Sequence, residues 1–394
     1  MPGQGSRAAI VGVALWLFSS LGAASQTRQP PSDPSPRLIP RTQAEREQRF
    51  LTQHRIILNA EVADASGKAT TDLQPADFTL YDNDQPRKLV SLSRAKGDSA
   101  SAATHVVIVL DAVNNFSRPL RTFGRAIEEF LSQGNGPLAY PLSIGLFSGA
   151  SINVGTASRD RDALLADLKR RAGDLHATGC IIGQDSEEPM KAQNFGGGPG
   201  AGYRAETTRL LNCLNDRFVA SVNALHRFAQ AQVDVPGRVI LIWMGPGWPL
   251  LTNRSFTPDP PEVKQSFFEQ LVALSMALRE AQVTVDAVAS PHDLPYPQAP
   301  PETSFFDDIS NEDQIKAGNL GLHALAHQTG GRIVTYANGI DSQIRDCIAD
   351  AASYYVLTFD SPPAAGFGEY HSLAVKIDKP GLEVRTNTLY YAEQ

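Results

Sequence analysis

The sequence predicts an α/β protein: a mainly parallel sheet covered by helices on both faces, with a small β module split between the two ends of the chain. Three observations carry this. Runs such as Val106–Leu110 (VVIVL) and Arg238–Trp243 (RVILIW) are uninterrupted and rich in β-branched residues, the pattern of strands buried on both faces. Helix-period segments alternate with those runs, which is the grammar of βα units. Short alternating strands with turn residues flank this region on both sides, the pattern of antiparallel sheet.

The chain of 394 residues opens with a segment that is set aside before the fold is read. Arg7 is the only charge in residues 1–25, Ala8–Phe18 is apolar, and small residues precede a cut after Ser25. This describes a secretory signal peptide, since the run is shorter than the roughly 20 apolar residues of a spanning helix. No later segment is apolar enough to span, so the expectation is an exported chain, periplasmic or extracellular, with no transmembrane segment after cleavage. Residues 26–48 follow as a tether, with five prolines between Gln26 and Arg41.

Residues 49–97 form the N-terminal part of the β module, with strands expected from Ile56, at Asp77–Tyr81 and at Lys88–Leu92. Residues 103–350 hold the α/β domain. Its strands are expected at Val106–Leu110, Leu142–Phe147, Arg238–Trp243, Val283–Ala289 and Gly331–Tyr336, and its helices at Leu120–Ser132, Ala163–Arg171, Arg209–Gln232, Val263–Ala281 and Leu320–Thr329. Leu120, Phe123, Ile127, Phe130 and Leu131 share one face of the first helix. Residues 351–394 return to β, with strands at Tyr354–Phe359, Tyr370–Ile377 and Leu382–Thr386.

Lys and Arg total 35 against 42 Asp and Glu, a net charge of -7. That balance argues against a nucleic-acid groove or a polybasic membrane patch. Three cysteines are too few for a disulfide-built scaffold or a four-thiolate zinc site. Cys180 and Cys213 flank an insert, residues 180–213, that contains the glycine run Gly196–Gly202 and reads as flexible. In an oxidising compartment their bridge would contribute about 3–4 kcal/mol on the chain-entropy model, leaving Cys347 as a buried helix thiol; three reduced cysteines are the alternative. The glycine run lacks the Lys-Ser/Thr of a P-loop. No Gly-x-Ser-x-Gly elbow occurs. His323 and His327 stand at i, i+4, but with no evident third ligand both read as solvated. Asp82–Asp84 reads as a hairpin turn, and Asp307, Asp308, Glu312 and Asp313 as a solvated acidic linker.

Three stretches together resemble the VWFA-related proteins of the acidobacterial type, a branch of the von Willebrand factor A superfamily. They are Val62–Leu89 (VADASGKATTDLQPADFTLYDNDQPRKL), Val106–Asn115 (VVIVLDAVNN), and Leu325–Asp360 (LAHQTGGRIVTYANGIDSQIRDCIADAASYYVLTFD) with the following YHSLAVKIDKPGLEVRTNTLYYA. The resemblance spans nearly the whole chain after the leader and implies a Rossmann-like A domain that binds partners rather than catalyses.

It also implies a metal-ion-dependent adhesion site, built from an Asp-x-Ser-x-Ser loop, a Thr from a second loop and an Asp after the fourth strand. Asp111 matches the first Asp. Val113, which has no side-chain oxygen, stands at the first Ser; Asn115 stands at the second, and Thr178 matches the loop Thr. Trp243-Met244-Gly245 replaces Thr-Asp-Gly, so the last carboxylate is missing. Hard oxygens are what Mg²⁺ requires, so the remnant Asp111, Asn115 and Thr178 is expected to hold Mg²⁺ or another divalent cation weakly at best, with Asp111 otherwise capping the following turn. The expected function is non-enzymatic binding of a protein partner. Asn114, Asn115, Gly245 and Trp248 are the expected contact face, at the carboxyl ends of the strands. A secreted hydrolase with a non-local site and a structural envelope component are the alternatives.

Overall fold

The computed structural model describes residues 55–70, 72–96, 104–115, 117–178, 201–248, 261–289, 308–315, 321–335, 339–366 and 368–392. The expected leader (1–25) and tether (26–48), Cys180 and Asp307 lie outside the described residues.

The chain enters through β1 (Arg55–Asp64), β2 (Phe78–Asp82), β3 (Gln85–Arg87) and β4 (Ser91–Lys96). Asn83 and Asp84 take positive φ, 49° and 60°, which closes the β2–β3 hairpin with the two-residue turn that matches strand twist. One strand was expected at Lys88–Leu92. Instead β3 pairs with β2 in one sheet and β4 pairs in another, so residues 88–90 are the crossing between sheets.

The α/β region runs β5 (Thr104–Asp111), α1 (Ser117–Ser132), β6 (Leu142–Phe147), β7 (Ile152–Val154), α2 (Arg161–Arg171), α3 (Ala201–Gln232), β8 (Arg238–Met244), α4 (Pro261–Glu280), β9 (Val283–Ala289), α5 (Leu322–Gln328), β10 (Ile333–Thr335) and α6 (Ile340–Ala349). These strands form one six-stranded sheet in the order β10-β9-β8-β5-β6-β7, parallel except for the β7 edge. Alternation along the strands sends residues to two cores. Val107, Val109, Leu241, Trp243 and Val285 pack with α3, α4 and α5. Val106, Ile108, Leu110, Ile240, Ile242 and Met244 pack with α1, α2 and α6. Helix α3 begins at Ala201, eight residues before the expected Arg209, so the end of the glycine-rich insert is helical and carries the buried Cys213. Asp160 caps α2, its carboxylate accepting from the Asp162 and Ala163 N–H groups.

The chain then returns through β11 (Ser353–Asp360), β12 (Glu369–Ile377), β13 (Leu382–Arg385) and β14 (Leu389–Ala392). The two ends interleave into two four-stranded sheets, β13-β1-β11-β4 and β14-β12-β2-β3. Ile56, Leu58, Ala60, Leu80, Leu357, Phe359, Val375 and Tyr390 fill the space between them, which makes a sandwich.

A buried ion-pair network fastens the sandwich to the start of β8. Arg238 donates to Glu61 of β1 and to Thr284 Oγ1 (3.1 Å), and its guanidinium lies 5.0 Å over the Tyr354 ring. Arg385 of β13 bonds both Glu61 and Asp350, and Asp350 is held by a two-pronged Arg332 fork at 2.6 Å. Asp286 accepts from the Arg332 N–H at 2.7 Å, and burial pushes its carboxyl up to about 6. The free, buried Cys347 lies against Asp286, and burial pushes its thiol up.

Candidate functional site

The first parallel strand ends on Asp111, which is fully buried, and the chain turns at once through Ala112–Asn115 towards α1. Oδ1 of Asp111 accepts the backbone N–H groups of Val113 (3.0 Å) and Asn114 (2.8 Å), the turn-capping arrangement of an Asp at a chain reversal. Oδ2 accepts the Asn114 side-chain amide and the Trp243 indole N–H, each at 2.9 Å. The indole reaches Asp111 because the β5–β8 register sets Val109 opposite Trp243, on the α3 side of the sheet. A carboxylate offers about four acceptor positions, and four N–H donors fill them. Burial pushes the Asp111 carboxyl above the ordinary carboxylate range, and those donors oppose the shift. Arg217 on α3 adds a positive field.

One turn along α3 from Arg217, Ser221 accepts the second N–H of the Asn114 amide at 3.0 Å and donates to the Arg217 carbonyl at 2.7 Å. Gly245 closes the other side: a Cβ there would stand 2.9 Å from the Asp111 Cβ and 3.3 Å from Asn115 Nδ2, so only glycine allows this approach. Gly247, at φ 70°, turns the loop back so that Trp248 packs on Trp243, ring centroids 5.1 Å apart. Trp243 also packs on Phe147 at 5.5 Å.

The residues expected from the sequence therefore meet, but in the interior. Asn114 and Asn115 are each 3% exposed and Trp248 is 1% exposed, so they form a floor rather than an open face. The Thr178 backbone N–H donates to the Ala112 carbonyl at 2.8 Å, and its hydroxyl lies 3.4 Å from the same oxygen, which pins this exposed residue beside the Asp111 turn. Among the described residues, Ser148–Ser151, His176 and Thr178 are exposed at this end, as are Arg118 and Glu262 at the starts of α1 and α4.

This donor set does not fit the divalent cation that the family resemblance implies. The Asp111 oxygens are taken, Val113 and Met244 supply no hard oxygen, and the Thr178 hydroxyl is turned to a backbone carbonyl. Among the described residues no group of three His, Cys, Asp or Glu side chains is arranged to hold a metal. His323, expected to be solvated, is 6% exposed, while His327 is exposed; the short helix α5 buries most of its faces and turns only His327 outward.

Two features escaped the sequence reading. Trp243 was noted only as a departure from a motif, because its bond to Asp111 depends on cross-strand register. Asp82 was read as a turn residue, yet it is buried in the sandwich. It lies 2.7 Å from His371 Nδ1, accepts Tyr390 OH at 3.1 Å and pairs with Arg87 at 3.3 Å. The alternation that puts Phe78, Leu80 and Asp82 on one face of β2 was the available signal. The other half of the proposed Cys180–Cys213 bridge lies outside the described residues; Cys213 is buried on α3.

No family model matches the chain, and no curated protein does. Among solved structures, the human COPII-coat protein Sec24c is similar at a TM-score of 0.34 and 10% identity over 74% of this chain. The chain covers 44% of that protein, less than half its length. The manganese-loaded Plasmodium vivax TRAP protein is similar at a TM-score of 0.32 and 8% identity, over 76% of this chain and 96% of that one. At these scores no residue role passes from either protein to this one.

Proposed function

We propose that this chain is an exported, non-enzymatic binding protein. Its α/β domain, of the von Willebrand A type that the sequence resembles, engages a protein partner at the carboxyl end of the parallel sheet, without a divalent cation. The observation that carries the reading is the saturation of Asp111. Its four acceptor positions are spent on Val113, Asn114 and Trp243, so this end of the sheet is held together internally, where the related site would need a metal. The sandwich, bonded through Glu61 to Arg238 at the first residue of β8, occupies the amino end. That leaves the carboxyl end, where open α/β sheets take ligands. Asn114, Asn115, Gly245 and Trp248 serve as its floor, and Ser148–Ser151, His176 and Thr178 as its rim. The Cys180–Cys213 bridge closes the insert beside it.

The test is quantitative capture of envelope and extracellular proteins by the full chain, in chelator and in Mg²⁺, followed by affinity measurements on the captured partner. Thr178→Arg and Ser148→Arg are expected to weaken binding at least tenfold with no change in fold, and chelator to leave it unchanged. Metal-dependent binding, or binding indifferent to both rim substitutions, overturns the reading. Turnover of ester, peptide or glycoside reporters that is absent from a mock preparation overturns its non-enzymatic part.

A further inference from the structure

Helix α1 buries Leu120, Phe123, Ile127, Phe130 and Leu131 and turns the opposite side to solvent. Arg118, Arg121, Arg125, Glu128 and Glu129 are all exposed there. At 3.6 residues per turn they fall within one arc of about 100°, so they form a single stripe along the helix. The stripe is ordered by sign. Three cations occupy about 10 Å of the axis and two anions follow in the next turn.

That order runs against the helix itself. Acids stabilise the first turn of a helix and bases the last, yet α1 has no acid in its first turn and no base in its last. Arg118 with Arg121 and Arg121 with Arg125 are like-charge neighbours at i, i+3 and i, i+4, a spacing that destabilises a helix. No contact in the fold offsets this. Among the described residues the three guanidinium groups make no hydrogen bond or ion pair, whereas every other arginine with a described side chain is engaged, as Arg55 is by Asp360 and Arg161 by the Phe130 carbonyl. Leu175 lies against Gly124 of α1, but the exposed Asp174 beside it forms no ion pair with the stripe.

The pattern of the stripe selects its partner. Guanidinium groups match carboxylates as planar forks. A uniform polyanion, such as a nucleic acid or an anionic bilayer, would meet Glu128 and Glu129 one turn further on, and a chain whose net charge is -7 repels it as a whole. A second copy of α1 laid antiparallel would match the signs, but the stripe carries no apolar side chain, and lasting contacts between folded chains are built on an apolar centre. A protein segment with carboxylates followed by a base meets both halves. Helix α1 starts just behind the Asp111–Asn115 turn, so Arg118 stands at the carboxyl end of the sheet and the stripe leads away from it.

We infer that the α1 stripe is a docking face for a protein segment of reciprocal charge order, with carboxylates over Arg118, Arg121 and Arg125 and a base over Glu128 and Glu129. This rests on the reading of the carboxyl end as the contact surface; it extends that surface along α1 and names the charge pattern of the partner.

The experiment is fluorescence anisotropy of labelled, alanine-based helical peptides titrated with the full chain at about 20 mM salt, where screening is weak. One peptide carries glutamates at i, i+3 and i+7 and two lysines in the following turn; the second has the same composition with the signs interleaved. The first is expected to bind saturably, about fivefold or more tighter than the second, and to be released as salt is raised. Arg118→Gln, Arg121→Gln and Arg125→Gln together abolish that binding and leave the unfolding midpoint at or above that of the parent, since no contact is lost and the like-charge pairs are removed. Glu128→Gln with Glu129→Gln erases the preference for the ordered peptide. Equal binding of the two peptides, no saturable binding, binding that survives the triple variant, or a lower midpoint in that variant overturns the inference. So does tighter binding of inorganic polyphosphate or phosphatidylglycerol vesicles than of the ordered peptide, or a dimer in sedimentation that the triple variant dissolves. Absent peptide binding beside a partner that Thr178→Arg and Ser148→Arg still weaken removes the α1 stripe alone. Intact peptide binding beside a partner indifferent to both rim substitutions upholds the stripe and removes the contact surface of the proposed function.

Discussion

Replacing Trp243 by Phe takes one N–H from the Asp111 carboxylate and leaves most of the ring packing between Phe147 and Trp248 in place. A hydrogen bond to a charged group is worth about 1.5–3 kcal/mol, and the acceptor left behind is buried. The smaller ring also opens roughly 40 Å³, worth about 1 kcal/mol at the usual cost of an unrelaxed cavity. The sum is about 3 kcal/mol. For an α/β domain of about 250 residues, the entropy of unfolding near the midpoint is roughly 0.5 kcal/mol per kelvin, so the midpoint falls by about 6 °C. The assay is thermal unfolding of Trp243→Phe beside Trp248→Phe, whose ring loses its N–H without robbing any acceptor and which therefore reports the packing loss alone. Trp243→Phe is expected to be the more damaging of the two by about 2 kcal/mol. Equal losses would refute the claim that the indole N–H holds Asp111, and with it the support for the proposed metal-free contact surface.

Excess Mg²⁺ should leave the unfolding midpoint where chelator leaves it; a working site at a hundred times its Kd would add about 2.7 kcal/mol. Asn115→Leu, which removes two buried polar atoms without a partner among the described residues, should stabilise the fold by about 1–2 kcal/mol while costing affinity for the proposed partner, as measured by denaturant unfolding beside binding. Asp286 keeps its proton to about pH 6 in the folded chain, against an ordinary 3.8, so its contribution to stability is greatest below about pH 4 and declines as pH rises through 6. Asp286→Asn should therefore match the parent near pH 4 and exceed it by up to about 3 kcal/mol at pH 7 in unfolding series across that range. Arg238→Met strands Glu61 with Arg385 as its remaining partner, and a cost of about 3 kcal/mol is expected in denaturant unfolding.

The strands that could be read directly were those whose environment is uniform. Val106–Leu110 and Arg238–Trp243 are buried on both faces, so their composition alone marks them. The short strands were not legible in the same way. LYYA of β14 is a strand because β12 pairs with it and α4 packs on it, Phe268 against Tyr391, and neither neighbour is close in sequence. The start of α3 was missed because glycines at the end of the insert suggest loop, whereas the helix runs on through Gly202. At the site, Asp111 was legible because a lone acid closes an apolar strand. Its surroundings were not, since Trp243 and Gly245 reach it by sheet register, and Ser221 reaches its partner Asn114 by helix packing. The sequence left Trp248 open between an exposed anchor and a ring packed under its own loop; the ring is buried, and the loop turns back at Gly247, which takes a positive φ.

The interleaved sandwich also dictates an order of events during synthesis. Of the four strands made first, only β2 and β3 can pair with each other; β1 and β4 wait for β11, with Arg55 and Asp360 separated by 305 positions. Closing an open loop of that length would cost about 5 kcal/mol. The α/β region finds all its strand partners within itself, so it can fold first and bring the two ends of the chain together. The amino-terminal strands then stay unstructured until the last forty or so residues have emerged. Truncation within β11–β14 would therefore leave a folded α/β core trailing an unpaired β1.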